Sequence, residues 1–249
     1  MNPTIDLLNA HRSVRAFAAK PVPTDHLRAA IGAGQMASTS SAVQSYCAIN
    51  ITDADTRREI AELSGGQAYV ESAPLFLLFC ADSRRHRIAC EESNTAYNTR
   101  LEAFLVGAID VALFAQNVAV AFESLGYGIC FIGGIRNDLP RLDALLDIPD
   151  GVYPLYGMCV GTPAHPQPSP LRPRLPLESV LMHGRYQNDD TMREHLHAYD
   201  ETYRDYLRAR GEPEHQVAQA WTERMAKYYG NPRRKDVAAY FASKGAGLD

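Results

Sequence analysis

Five consecutive residues near the N-terminus, His11-Arg12-Ser13-Val14-Arg15, put two guanidiniums, an imidazole and a hydroxyl into one short stretch. Arginine presents a rigid fork of N–H donors that matches phosphate or carboxylate oxygens two at a time, so the cluster suits an anion seat. A solvated basic turn fits the same residues equally well. Two more guanidiniums stand at Arg172-Pro173-Arg174, spaced by a stiff proline. Gln67 follows the paired glycines of Ser64-Gly65-Gly66 and both donates and accepts, so it can read a ring edge that carries C=O and N–H together. Gly133-Gly134 closes the strand-like Ile129-Cys130-Phe131-Ile132. Glycines there let backbone N–H groups approach a ligand, although an ordinary strand-to-turn exit has the same letters. The hydroxyl-rich Ser38-Thr39-Ser40-Ser41 suits a polyol or phosphate chain, or serves only as a helix cap and turn.

Other chemistries lack their residues. There is no P-loop, H-E-x-x-H helix, EF-hand loop or nucleophile triad context. Gly32-Ala33-Gly34-Gln35-Met36-Ala37 has the letters of a dinucleotide-binding turn, but it lies late in a helical pattern with no strand before it. The five cysteines form no C-x-x-C pair, and Cys80, Cys130 and Cys159 sit in apolar runs, so neither disulfides nor zinc are expected. His195 and His197 are two apart on a helical stretch and point to different faces.

Across 249 residues, 46% hydrophobic side chains can fill a sizeable core, and Lys+Arg 25 against Asp+Glu 29 leaves a net charge of −4. That balance gives no field for nucleic acid or an anionic membrane, and a small-molecule partner is expected. The first residues, MNPTIDLLNAHR, lack the features of a secretory signal, which points to the cytoplasm.

The elements that must position these residues follow from periodicity. A short helix over 3–10 delivers the basic cluster, and a second runs over 24–36. Residues 46–52 read as a strand, 56–63 as a helix, and the apolar run 74–81 as a buried central strand. A charged loop over 82–99 follows. The stretch 101–125 is apolar on nearly every side, which predicts a helix buried on all faces, and its small residues would let a second subunit pack close. Its longest uncharged run, Val111 to Phe122, has 12 residues, well short of the ~20 of a membrane span. Residues 129–132 and 153–161 read as strands and 139–146 as a helix. Prolines 163, 166, 168, 170, 173 and 176 force 162–176 into an extended arm. The stretches 193–210, 214–229 and 232–244 read as charged amphipathic helices on the outside.

Seven segments in this order, HRSVR, TSSAVQS, SGGQ, ESLGYGICFIGG, YGMCVGTP, RPRLP and YDE with YLRARG, resemble the FMN-dependent nitroreductases of the NfsA and flavin reductase P branch. The resemblance implies an α+β fold, a mixed sheet wrapped by helices, built as one domain over 1–249 with a proline-rich arm at 162–176 and a C-terminal helical extension at 177–249. It implies an intertwined homodimer, FMN bound at each of two interface sites, and NADPH as donor. The implied activity is ping-pong hydride transfer from NADPH to nitroaromatics, quinones or similar acceptors. A flavin reductase releasing reduced FMN, or a flavin-binding protein without turnover, would have the same motifs.

By the same resemblance, His11, Arg12 and Ser13, with Val14 between them and Arg15, hold the phosphate end together with Arg172 and Arg174. Arg15 and Gln67 face the pyrimidine edge. Phe131, Ile132, Gly133 and Gly134 lie along the ring, the two glycines with their N–H groups near N5 and O4. Thr39, Ser40 and Ser41 come from the partner subunit. Arg210 aligns with a family arginine at the NADPH 2′-phosphate, where the alternative is a cation complementing a helix end.

Overall fold

Short polar side chains set several helix starts. Asn2, Asp53 and Asp138 each accept a backbone N–H of the first turn, from Ile5 at 3.0 Å, Thr56 at 2.8 Å and Arg141 at 3.1 Å. In the computed structural model, which describes residues 2–165 and 170–247, the chain divides into two compact units, Met1–Pro166 with Arg234–Asp249, and Gln167–Arg233. Prolines 166 and 168 of the expected arm lie outside the described residues.

The first unit runs α1 (Pro3–Asn9), α2 (Thr24–Gln35), β1 (Tyr46–Asn50), α3 (Ala54–Leu63), α4 (Ala68–Ser72), β2 (Leu75–Asp82), α5 (Arg84–Glu92), α6 (Leu101–Ser124), β3 (Gly128–Ile132), α7 (Leu139–Leu146) and β4 (Val152–Gly161). The sheet has the order β1-β2-β4-β3, and every pairing between these strands is antiparallel. The parallel component of the expected mixed sheet reduces to one bridge, Ser13 beside Ile129. The apolar run 75–82 is the buried β2 in the middle. β4 holds Pro154 before the stretch paired with β3, which begins at Gly157, and beside the register shift between Phe79 and Cys80 on the β2 side, so the proline is flanked by one strand alone.

One sheet face meets α6: Tyr46 stacks on Phe114 at 4.3 Å, and the Tyr156 hydroxyl donates to Val111 O at 2.8 Å. On the other face Cys159 approaches Tyr69 O of α4, and α3, α7 and then α11 (Val237–Ser243) pack in series. α11 buries Tyr240 and Phe241 in the main core, so the tail is not the outer wrapping that its charge suggested. The expected loop at 82–99 contains α5, a helix without a buried residue.

α6 departs from the expectation of burial on all sides. By length and composition it could cross a membrane, yet it is the core helix here, with Val111, Phe114, Val118 and Phe122 buried on one face. On another face Leu101, Leu105, Ile109 and Leu113, one turn apart, are 39, 42, 58 and 43% exposed. Hydrophobic periodicity cannot separate two apolar faces, only apolar from polar.

The second unit holds α8 (Asp189–Ala209), α9 (Glu214–Val217) and α10 (Trp221–Gly230). Its own core gathers Tyr199, Tyr203, Tyr206, Leu207 and Val217. Buried Asp200 caps α10 by accepting from Thr222 N at 2.9 Å and its hydroxyl at 2.6 Å.

The two glycines of the false dinucleotide motif separate cleanly. A β-carbon on Gly34 would stand 2.8 Å from the Phe114 ring and closer still to Val118, whereas one on Gly32 would meet nothing within 4 Å. Gly34→Ala is therefore expected to destabilise the protein by about 1–3 kcal/mol through overpacking, and Gly32→Ala to stabilise α2 by about 0.5–1 kcal/mol. Urea denaturation of the two variants reads both signs, and equal effects would show that the α2–α6 crossing is looser than the packing implies.

Candidate functional site

The basic cluster is fixed as an added strand on the sheet edge. Val14 N donates to Ile129 O at 2.8 Å, and further along Ala18 N donates to Thr162 O at 2.8 Å and Ala164 N to Ala16 O at 2.9 Å. Gly128 makes room, since a β-carbon there would lie 2.5 Å from the Val14 side chain. His11 is tied back to the end of α6 by its Nδ1, 2.6 Å from Glu123 Oε1, which leaves Nε2 as its remaining polar atom. Arg12 has a buried Nε with no partner. A guanidinium N–H without an acceptor is costly, and an anion at this end of the cluster would satisfy it.

Ser13 and Arg15 both act on Cys130. Burial raises that thiol's pKa, and the Arg15 charge and a hydrogen bond with Ser13 pull against it. Arg15 also hydrogen-bonds Tyr69, whose phenol burial pushes up. Tyr69 in turn donates to Gln67 Oε1, and Gln67 Nε2 donates to Ser64 O at 2.6 Å. Gly65 and Gly66, both at positive φ (92° and 70°), turn the chain at the end of α3 to present Gln67. Gly134 closes the group: a β-carbon on it would fall 2.6 Å from Gln67 Nε2 and closer to Ser64 O. Arg15, Gln67 and Gly134 therefore meet through the Ser64–Tyr69 turn. Gly134 is a glycine because that turn presses on it, a reason distinct from ligand approach. A β-carbon on Gly133 would lie 3.3 Å from the Arg136 guanidinium.

Phe131 and Ile132 point to opposite faces of β3. Ile132 is buried, and Phe131 is 37% exposed with its ring edge-on to Tyr156 at 5.4 Å. Tyr69 carries the connection between Arg15 and Gln67 and was not singled out in the sequence, where it is one tyrosine of 13.

The hydroxyl-rich loop has an anchor that the sequence reading passed over. Asp110 is 2% exposed in the middle of apolar α6 and accepts from Thr39 Oγ1 at 2.5 Å, Ser45 N at 3.0 Å and Ser40 N at 3.4 Å. The Thr39 hydroxyl oxygen also accepts Gln44 N at 2.9 Å, so Thr39 holds the loop from inside while Ser40 and Ser41 are exposed. Ser41, Ala42 and Gln44 all take left-handed backbone angles, φ 46°, 58° and 51°. Non-glycine residues there cost about 1–3 kcal/mol each and persist only where their surroundings enforce them, commonly at functional sites. The lone carboxylate within an otherwise uncharged run was the signal available.

In the second unit Arg172 and Arg174 are exposed. Arg172 and Arg210 converge on Tyr206, their guanidiniums 6.0 and 5.6 Å from its ring, and Arg210 donates to its hydroxyl at 3.0 Å and pairs with Glu212 at 3.2 Å. Burial raises the Tyr206 phenol's pKa, but the hydrogen bonds from Arg210 and Arg172 outweigh it and the net shift is downward. Arg210 follows α8 as its C-cap, where a cation also complements the helix dipole.

Comparison with known proteins places this geometry. Residues 8–162 match the nitroreductase family and residues 172–249 the nitroreductase family C-terminal domain. The chain is 38% identical over 249 residues to the FMN reductase (NADPH) of Bacillus subtilis strain 168, covering 98% of each. The solved structure of B. megaterium NfrA1 superposes with a TM-score of 0.93 at 37% identity, over 98% of this chain and 99% of that one. The NADPH:FMN oxidoreductase of Vibrio harveyi, solved in complex with NAD+, gives 0.88 at 35% identity over 98% of both chains. A basic strand pinned to the sheet edge, an amide-bearing turn beside it and the same architecture from end to end make one conclusion: the chain belongs to the nitroreductase family.

Proposed function

We propose that the protein is an FMN-dependent oxidoreductase that takes hydride from NADPH and passes two electrons to a nitroaromatic, quinone or similar small acceptor. The observation that carries this is the contiguous set Arg12, Ser13, Arg15, Tyr69, Gln67 and Gly134, on a chain similar to an FMN reductase (NADPH). The residues fit the cofactor. The orphaned Arg12 Nε suits a phosphate, and His11 Nε2 and the Ser13 hydroxyl add further polar contacts at that end. After its bonds to Tyr69 and Ser64, the Gln67 amide retains one N–H and one carbonyl lone pair for a ring edge. Bound FMN supplies the two-electron chemistry. Arg15 adds a fixed cation where charge accumulates on reduction. Arg172 and Arg174 are assigned to the phosphate by family resemblance.

The protein as purified is expected to be yellow and to release FMN on denaturation. Arg15→Ala should lower the reduction potential and the rate of flavin reduction, at a cost of about 1.5–3 kcal/mol for one charge-assisted contact, while FMN is retained. Wholesale loss of FMN with an unchanged potential would move Arg15 to the phosphate. A flavin reductase that releases reduced FMN is the second reading, favoured by the name of the B. subtilis relative. NADPH oxidation with free FMN against a panel of nitroaromatics and quinones separates the two.

We infer a homodimer in which the α6 stripe Leu101, Leu105, Ile109 and Leu113 is covered by a second copy, and Ser40 and Ser41 reach the partner's flavin. Support comes from an exposed apolar row on the longest helix and from a strained loop held in one shape by Asp110. Light scattering should give twice 27.5 kDa, and Ile109→Arg should yield a monomer that no longer holds FMN. A wild-type monomer with bound flavin would overturn the reading. Five free thiols accord with the reducing cytoplasm.

Arg210 is our choice for the NADPH 2′-phosphate, since its pairing with Tyr206 and Glu212 presents a guanidinium with further donors. Arg210→Ala should raise the KM for NADPH and leave NADH use unchanged. Equal losses with both donors, together with a lower Tm, would reduce its role to capping α8.

A further inference from the structure

Four of the five cysteines face one another across the sheet. Cys47 stands directly opposite Cys80 between β1 and β2, and Cys130 opposite Cys159 between β3 and β4, all as free thiols. Asp82 N donates to Ser45 O and Ile51 N to Phe76 O, which puts odd-numbered residues of β1, Cys47 among them, in hydrogen-bonded rungs. Such a rung separates Cα atoms by about 5.5 Å with both side chains on one face. Disulfides form over a Cα separation of about 4.4–6.8 Å, a range that includes this spacing, and the hydrogen bond between the two thiols turns the sulfurs toward each other.

The two pairs differ in access and in surroundings. Cys130 and Cys159 are both buried, Cys159 directed at Tyr69 O, and burial pushes both thiols up. Cys47 is half-buried on the edge strand and lines a cavity of about 270 Å³ together with Gln44, Asn50 and Arg85, while Cys80 behind it is fully buried. A hydrogen bond with Cys80 lowers the pKa of Cys47 and Arg85 assists, against burial and Asp82. The same bond and burial raise Cys80. A half-buried thiol with stabilised thiolate beside a fully buried second thiol is the arrangement of an attacking and a resolving cysteine.

We propose that Cys47 and Cys80 are a hydroperoxide-reactive dithiol that closes to an intramolecular disulfide, while Cys130 and Cys159 remain reduced. The Cys47 thiolate attacks one peroxide oxygen and the O–O bond breaks. The departing hydroxide takes a proton and leaves as water, and Cys47 becomes a sulfenic acid. Cys80 then attacks that sulfur, giving up its proton as the S–O bond breaks and a second water departs. Two thiols lose two electrons, and one hydrogen peroxide becomes two waters. The link ties the edge strand β1 to β2 two rungs from the Ser45–Asp82 pairing, at the foot of the loop that Asp110 holds.

The test treats the FMN-loaded protein with hydrogen peroxide, then denatures it, alkylates it with iodoacetamide and maps the peptides. Alkylatable thiols should fall from five to three, with one cross-linked peptide joining Cys47 to Cys80, and dithiothreitol should restore all five. Cys47→Ser should retain its four thiols under the same treatment, and Cys159→Ser should still form the cross-link. Should Cys47→Ser fail to fold, the wild-type map decides alone. The proposal is overturned by five alkylatable thiols after exposure, by a Cys130–Cys159 link, by oxidation of Cys90 in preference, or by Cys47 reaching sulfinic acid with Cys80 still alkylatable.

Discussion

A single buried carboxylate organises the side of the protein that is proposed to meet its partner. Asp110 is taken out of water by α6 and is tolerable there only because the Thr39 hydroxyl and the Ser45 and Ser40 amides point at it. Those three donors come from one loop, so satisfying the charge dictates the loop's path, left-handed residues included. Removing the carboxylate would strand donors that have been arranged for nothing else. The helix that carries Asp110 also carries the exposed leucine and isoleucine row, and the loop and the row are thereby positioned by one rigid rod.

The side proposed to hold the cofactor follows a different logic. No single residue there is a hub; instead each member of the chain from Arg15 through Tyr69 and Gln67 to Ser64 and Gly134 restrains the next by a hydrogen bond or by contact. Such a relay keeps an arginine and an amide at a constant spacing without burying either one fully. Preorganised dipoles of this kind stabilise developing charge without reorganising when it appears.

Much of the architecture was legible in the sequence because its signals are local. The apolar run of β2, the helix α7 and the glycines after α3 each depend on a few neighbouring residues. What escaped was long-range or low in contrast. Nothing near residue 47 announces residue 80, because their juxtaposition is a property of strand register. α5 has almost no apolar stripe to detect, and α11 is two buried aromatics in a charged tail. Arg15, Gln67 and Gly134 each stand in a segment of the family resemblance, but Tyr69, which connects the first two, belongs to no motif with a name.

The strand that carries the basic cluster has a consequence for how the protein comes to be made. Ser13 pairs with Ile129 and Phe17 with Pro163, so this earlier segment can find its place only after β3 and β4 exist. Loop-closure entropy makes such distant pairings late events in folding. The edge of β3 stays open until that segment docks. Flavin arriving before that moment would find half a seat, and flavin arriving after it would act as the last fastener, holding the two ends of the fold together by mass action.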